Sequence, residues 1–259
     1  MIKIGAYQFP MSGDIERNLE HIKTGIACAV KQDVRLLAFP ECALTGYPPQ
    51  DMKSTADIDF DKAEKSITQL QALAVKHDLY LIIGTIERRQ GKCYNSAVIL
   101  SPNGENIAPY RKRALWGWDL QSFERGADAS GVFSADGYRV GVRICYEVRF
   151  PEYFRELYRE KTDLDIVLFC DKSDEESPER YDLIKAHLLT RAVENVCSVI
   201  SVNNCAEWQT APTIAIDDGI VISELLKGNE GLLVYELKDR KYGFGAKGRK
   251  TESDKLTNA

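Results

Sequence analysis

The 259-residue sequence has no apolar run near the about 20 residues that span a bilayer. Residues 1–9 lack a basic stretch leading into a long apolar one, so no signal peptide is expected. A membrane role is therefore not expected, and a cytoplasmic location is. Histidine is scarce: His21, His77 and His187 lie far apart in the chain. There is no Cys-x-x-Cys, which argues against structural zinc, a metal centre or a paired-cysteine redox site. Positive charge is in deficit, with 34 Lys and Arg against 39 Asp and Glu and a net charge of −5. A nucleic-acid surface, which needs clustered Lys and Arg, is not expected. Low-complexity segments and interdomain linkers are missing too.

What is present is ordinary globular material, 44% hydrophobic and 28% charged. The length suits one large α/β domain with a core that needs no staples. Thiols are plentiful: Cys28, Cys42, Cys93, Cys145, Cys170, Cys197 and Cys205. Most sit in apolar segments and read as reduced core residues. Composition does not rank them.

Strand and helix signals alternate. Strands are expected at 2–7, 34–39 and 79–85, with helices at 15–32 and 60–77 between them. Asn103-Gly104 marks a hairpin between 93–100 and 106–111, and Asp136-Gly137 another between 131–135 and 138–144. A helix follows Pro151 to about 160, then strand 165–170, helix 177–196 and strand 198–203. Asp218-Gly219 turns 213–217 into 220–225, and 231–236 is the last strand. This is a mixed-sheet α/β pattern covered by helices, in one domain over residues 1–236. Residues 237–259 differ, with seven basic against three acidic residues and Gly243, Gly245 and Gly248. They read as a flexible tail or as an arm that packs on a partner subunit.

Three segments place reactive groups at strand ends, where open α/β sheets put ligand sites. Strand 34–39 runs through Phe39 and Pro40 into Glu41, followed by Leu44-Thr45-Gly46-Tyr47-Pro48-Pro49, a rigid loop able to wall a pocket. In Tyr110-Arg111-Lys112-Arg113, strand alternation turns Lys112 inward and its basic neighbours outward. Strand 138–144 delivers Cys145 to a strand-to-helix turn with backbone N–H groups facing the same space. A cation beside that thiol is expected to lower its pKa.

In order and spacing these segments resemble the nitrilase superfamily of carbon–nitrogen hydrolases. The matching stretches are Phe-Pro-Glu41, Tyr-Arg-Lys112 and Cys145-Tyr-Glu-Val-Arg-Phe-Pro-Glu152. The likeness continues in Gly84-Thr85, in Tyr94-Asn95-Ser96-Ala97 and in Arg191-Ala192-Val193-Glu194-Asn195. It implies a four-layer αββα sandwich with mixed sheets, and a homodimer paired through the helical face near the nucleophile. It implies a catalytic triad of Glu41, Lys112 and Cys145, with the Tyr146 N–H in the oxyanion hole. Tyr47 and Glu147 are expected to line the pocket. No cofactor or metal is implied.

Many relatives carry a second glutamate after the lysine, ahead of Phe-x-x-Gly. Anchoring on Phe123 and Gly126 puts Asp119 at that position, with Glu124 as the competitor. The acidic run from Asp171 to Glu176 is a departure expected to repel acidic substrates, and Ala211-Pro212-Thr213 is another. The chain ends at residue 259, so no fused ATP-using synthase domain is expected. The resemblance implies an amidase acting on a small linear amide through a thioester acyl-enzyme. The alternatives are an N-carbamoyl-amine hydrolase, or a non-catalytic binding protein on the same scaffold.

Overall fold

The computed structural model describes residues 1–127 and 130–257. The elements run β1 (Ile2–Gln8), α1 (Ile15–Val30), β2 (Leu36–Ala38), α2 (Phe60–His77), β3 (Tyr80–Arg89), β4 (Lys92–Leu100) and β5 (Tyr110–Arg111). They continue with α3 (Asp119–Ser122), β6 (Val132–Ala135), β7 (Tyr138–Ile144), α4 (Pro151–Arg159), β8 (Leu164–Leu168) and α5 (Pro178–Asn195). The last are β9 (Ser198–Val202), β10 (Ile214–Asp217), β11 (Ile220–Glu224), β12 (Gly231–Leu237) and α6 (Phe244–Thr257).

The strands form two six-stranded sheets, ordered β12-β1-β2-β3-β4-β5 and β11-β10-β9-β8-β7-β6. Each has three parallel strands at its centre, β1-β2-β3 and β7-β8-β9, flanked by antiparallel neighbours. Side-chain alternation explains the layers. Ile4, Leu36, Ala38 and Ile82 of the first sheet pack with Val142, Leu164, Ile166 and Ile200 of the second, which makes the middle of the sandwich. The alternate residues Leu37, Leu81 and Ile83 face α1 and α2 through Ile22, Ile26 and Leu70. On the far side Val167 and Val199 meet Phe154, Leu157, Ile184 and Leu188 of α4 and α5. Strands buried on both faces carry continuous apolar sequence. The architecture is the expected αββα sandwich.

Two elements differ from the sequence reading. The strand expected at 106–111 shrinks to Tyr110–Arg111, with one isolated bridge from Leu100 to Asn106. Pro109 has no N–H to donate to a ladder there. Residues 244–257 form α6 despite Gly245 and Gly248. The helix is docked on α4: the Tyr158 hydroxyl donates to Asp254 (2.7 Å) and Lys161 pairs with the same carboxylate (2.7 Å). Tertiary contacts override weak helix propensity here. No helix among the described residues is long and apolar enough to cross a membrane.

Candidate active site

The C-terminal ends of β2, β5, β7 and β8 converge on a cavity of about 990 Å³, lined by Glu41, Tyr47, Lys112, Asp119, Cys145, Tyr146 and Cys170 among others. The loop after β2 carries Glu41 across β3 because residue 84 is glycine. A Cβ there would stand 2.0 Å from the Pro40 carbonyl oxygen and 2.6 Å from the Cys42 nitrogen. Lys112 follows β5, and its backbone N–H donates to the Asn95 carbonyl (2.8 Å). Its own carbonyl accepts from Gly126 (2.9 Å), where a Cβ would collide with the Arg111 carbonyl oxygen.

Glu41 and Lys112 are buried and paired: Lys112 Nζ donates to Glu41 Oε1 at 2.8 Å. Asn95 Nδ2 donates to the same oxygen (2.7 Å), and the Cys170 backbone N–H donates to Glu41 Oε2 (2.9 Å). A second N–H of Lys112 goes to Asp119 Oδ2 (2.7 Å), while the Tyr47 hydroxyl donates to Asp119 Oδ1 (2.6 Å). Glu124, the alternative to Asp119, pairs instead with Lys92 on the surface (3.4 Å).

Cys145 opens a single 3₁₀ turn, residues 145–149, with φ of +47°. This left-handed backbone is uncommon for a residue with a Cβ. It bends the chain sharply off β7 and leaves the thiol half-buried at the cavity wall. The first N–H groups of a helical turn lack partners within it, which suits the Tyr146 N–H to an incoming oxygen. The Tyr146 ring lines the cavity and stacks on Trp116, with centroids 5.7 Å apart.

Glu147 does not line the cavity. It is fully buried behind the turn, where Oε2 accepts from Ile144 N (2.8 Å) and Oε1 from Tyr110 Oη (2.7 Å) and Arg113 N (2.8 Å). It thus ties the cysteine turn to the segment that carries Lys112. From α5, Arg191 Nε donates to the Val148 carbonyl (2.9 Å) and braces the same turn. Cys42, next to Glu41 in the chain, is buried in the outer core, and Cys170 lines the cavity wall. Asn95, Cys170 and Arg191 were not singled out from the sequence. For Asn95 and Arg191 the repeated family stretches were the available signal.

The electrostatics correct one expectation. The Cys145 thiol is pushed well up, not down: burial is the largest cause, the Glu41 carboxylate adds to it, and Lys112 opposes both without prevailing. At rest Cys145 is therefore a thiol, which would have to give up its proton before its sulfur could attack. Glu41 is itself raised by burial, against the pull of Lys112 and with the repulsion of Asp119. A carboxylate so raised is suited to accept a proton. Burial disfavours the Lys112 charge, but the Glu41 and Asp119 carboxylates outweigh it, and the ammonium is held.

The cavity rim carries both signs. Asp171 is paired with Arg180 (2.7 Å) and accepts from Thr210 Oγ1 (2.8 Å), and Arg149 and Lys172 share the wall with Asp174 and Glu175. The expected acidic repulsion loses its basis. Among the described residues, no group of three or more His, Cys, Asp or Glu is arranged to hold a metal ion.

Two mixed sheets between helix layers, with a carboxylate, an ammonium and a thiol at their shared strand-end edge, define a nitrilase-like sandwich protein. The chain belongs to the Carbon-nitrogen hydrolase family, which it matches over residues 3–243. It is 28% identical over 211 residues to a deaminated glutathione amidase of Synechocystis sp., covering 76% of this chain and 75% of that one. To a 2-oxoglutaramate amidase of Bacillus subtilis it is 32% identical over 170 residues, 65% and 62% of the two chains. A structure of the amidase from Nesterenkonia sp. AN1 superposes with a TM-score of 0.83 at 23% identity, covering 99% of both chains. That structure is of a Glu-to-Gln mutant and shows Michael addition of acrylamide at its active-site cysteine.

Proposed function

We propose that the protein is an amidase that hydrolyses small linear amides and releases ammonia. The observation that carries this reading is the buried Glu41–Lys112 pair, joined at 2.8 Å, in the cavity that Cys145 enters from a left-handed turn. The amidase names of the two curated relatives support it.

An amide carbonyl is a poor electrophile, so attack needs both a strong nucleophile and a ready oxyanion site. Cys145 Sγ bonds to the carbonyl carbon while Glu41 takes the thiol proton. The carbonyl π pair moves to oxygen, where the Lys112 ammonium and the Tyr146 N–H hold it. The tetrahedral adduct then breaks its C–N bond, Glu41 returns the proton to nitrogen, and ammonia leaves a thioester. Water next attacks the thioester with Glu41 again as base. The carboxylic acid departs and the Cys145 thiol is restored. Asp119 supports Lys112 throughout.

The hydrolase domain spans residues 1–236, and residues 237–259 form a C-terminal extension that packs in the assembly. The protein works as a cytoplasmic homodimer paired through the α4–α5 face, on which Leu183 and Val193 of α5 are exposed. A panel of linear amides, N-carbamoyl amines and nitriles with ammonia detection tests the activity. Turnover of the amides is expected. Turnover confined to the carbamoyl amines or to the nitriles overturns the reading.

A further inference from the structure

The Lys112 ammonium has three N–H donors. Glu41 Oε1 takes one at 2.8 Å and Asp119 Oδ2 another at 2.7 Å. The third is left for the cavity that Lys112 lines. Its direction follows from the other two by tetrahedral geometry, so displacing either carboxylate turns it.

The two carboxylates are seated differently. Glu41 is held from several sides, by Lys112, by Asn95 of β4 and by the Cys170 N–H after β8. Asp119 opens a single helical turn in a segment whose Trp116, Trp118 and Leu120 are exposed. Its second oxygen is held by one group from elsewhere in the chain, the Tyr47 hydroxyl at 2.6 Å. Tyr47 itself is fixed: its N–H donates to Asp51 Oδ2 (2.9 Å), its carbonyl accepts from Asp51 N (2.8 Å), and its ring lies 6.3 Å from that of Phe123. Burial and the carboxylates of Glu41 and Asp119 outweigh Lys112 and hold the phenol protonated, a steady donor.

We propose that Tyr47 is a positioning residue that aims the free N–H of Lys112 into the cavity by fixing Asp119. The consequence for turnover rests on the amidase reading. The effect on the oxyanion site does not, and two thiol reagents read it directly. When Cys145 adds to acrylamide, Glu41 takes the thiol proton, sulfur bonds to the terminal alkene carbon, and the conjugated π electrons shift to leave the negative charge on the carbonyl oxygen. The resulting enolate is protonated at carbon. When Cys145 is alkylated by iodoacetamide, Glu41 takes the thiol proton, sulfur displaces iodide, and no charge develops on the carbonyl oxygen. Only the first reaction needs the aimed ammonium.

In Tyr47→Phe the ring remains and only the hydroxyl goes. Acrylamide addition at Cys145, followed by peptide mass, should slow about tenfold or more, as for loss of a hydrogen bond to a charged group. Iodoacetamide alkylation should change less than about twofold, and amide kcat should fall with acrylamide addition while KM holds. In an Asp119→Asn background, Tyr47→Phe should add less than about twofold, because both act through one contact. Equal slowing of both reagents, unchanged acrylamide addition, or fully multiplicative effects would each overturn the proposal. A wild-type protein that turns over no amide, yet keeps the reagent contrast, fails the amidase reading and upholds the role of Tyr47.

Discussion

Two of the buried carboxylates each help to hold a neighbouring thiol protonated, in different surroundings. One is Glu41 with Cys145. The other is Asp165 on β8, whose Oδ2 lies 3.3 Å from the Cys197 sulfur. In both, burial pushes the acid up: Glu41 is raised, and Asp165 moves from 3.8 to about 6. Both thiols are raised as well. The residue types are the same and the surroundings are not. Asp165 and Cys197 are buried on the side of the second sheet that α4 and α5 cover. Glu41 and Cys145 open on about 990 Å³ and share an ammonium. Access and a held cation, not a carboxylate beside a sulfur, distinguish Cys145 from Cys197.

The largest test of that contrast removes each sulfur. Cys145→Ala should cost ammonia release at least about 10⁴-fold, as for loss of a nucleophile acting within a unit. Cys197→Ala should stay within about twofold per folded molecule. Comparable losses would erase the distinction. Next is the cation. Lys112→Ala should lower kcat about 10²–10³-fold with KM little changed, because the oxyanion forms mainly in the transition state. It also leaves Glu41 and Asp119 buried without their ammonium, so unfolding in denaturant should show a loss of about 3–5 kcal/mol. An effect confined to KM would remove Lys112 from the chemistry.

The smallest effect belongs to the Asp165–Cys197 pair and appears in stability. A buried acid titrating near 6 when folded, against about 3.9 unfolded, binds its proton more tightly in the native state. Stability from this group is therefore full at low pH and is lost as pH rises through about 4 to 6, by up to about 3 kcal/mol. Asp165→Asn should lack this slope, so its unfolding free energy relative to wild type should climb between pH 4 and pH 7. A pH-independent difference would show that Asp165 is not held up by burial.

Much of the sandwich was legible in the chain. Turns at Asp136-Gly137 and Asp218-Gly219 reveal themselves because both residues of each adopt positive φ, which is local chemistry. Glu41, Lys112 and Cys145 stood out because strand ends and family spacing coincide. The residues that hold them did not. Asn95 reaches Glu41 across 54 residues, and the Cys170 N–H does so across 129, with no local pattern to announce either contact. The family resemblance puts Glu147, two residues after Cys145, in the pocket. The 3₁₀ turn sends it behind the wall, where four backbone and hydroxyl donors offset the cost of burying it. The direction of the Cys145 shift was misread for a similar reason: a cation is visible in sequence, whereas desolvation is not.

Glu41 and Lys112 ride on one sheet and Cys145 on the other. Two clasps cross the gap beside them: Glu41 to the Phe169–Cys170 backbone, and Glu147 to Tyr110 and Arg113. The distance from the Glu41 carboxylate to the Cys145 sulfur is thus set at a joint between two slabs, and the apolar filling between the slabs acts as its shim. A methyl group gained or lost at Ile166 or Ala38 touches no reacting atom, yet it changes how the two halves meet. In such a molecule the tolerance of the joint is spent before the fold is, and misalignment is the first symptom of a worn core.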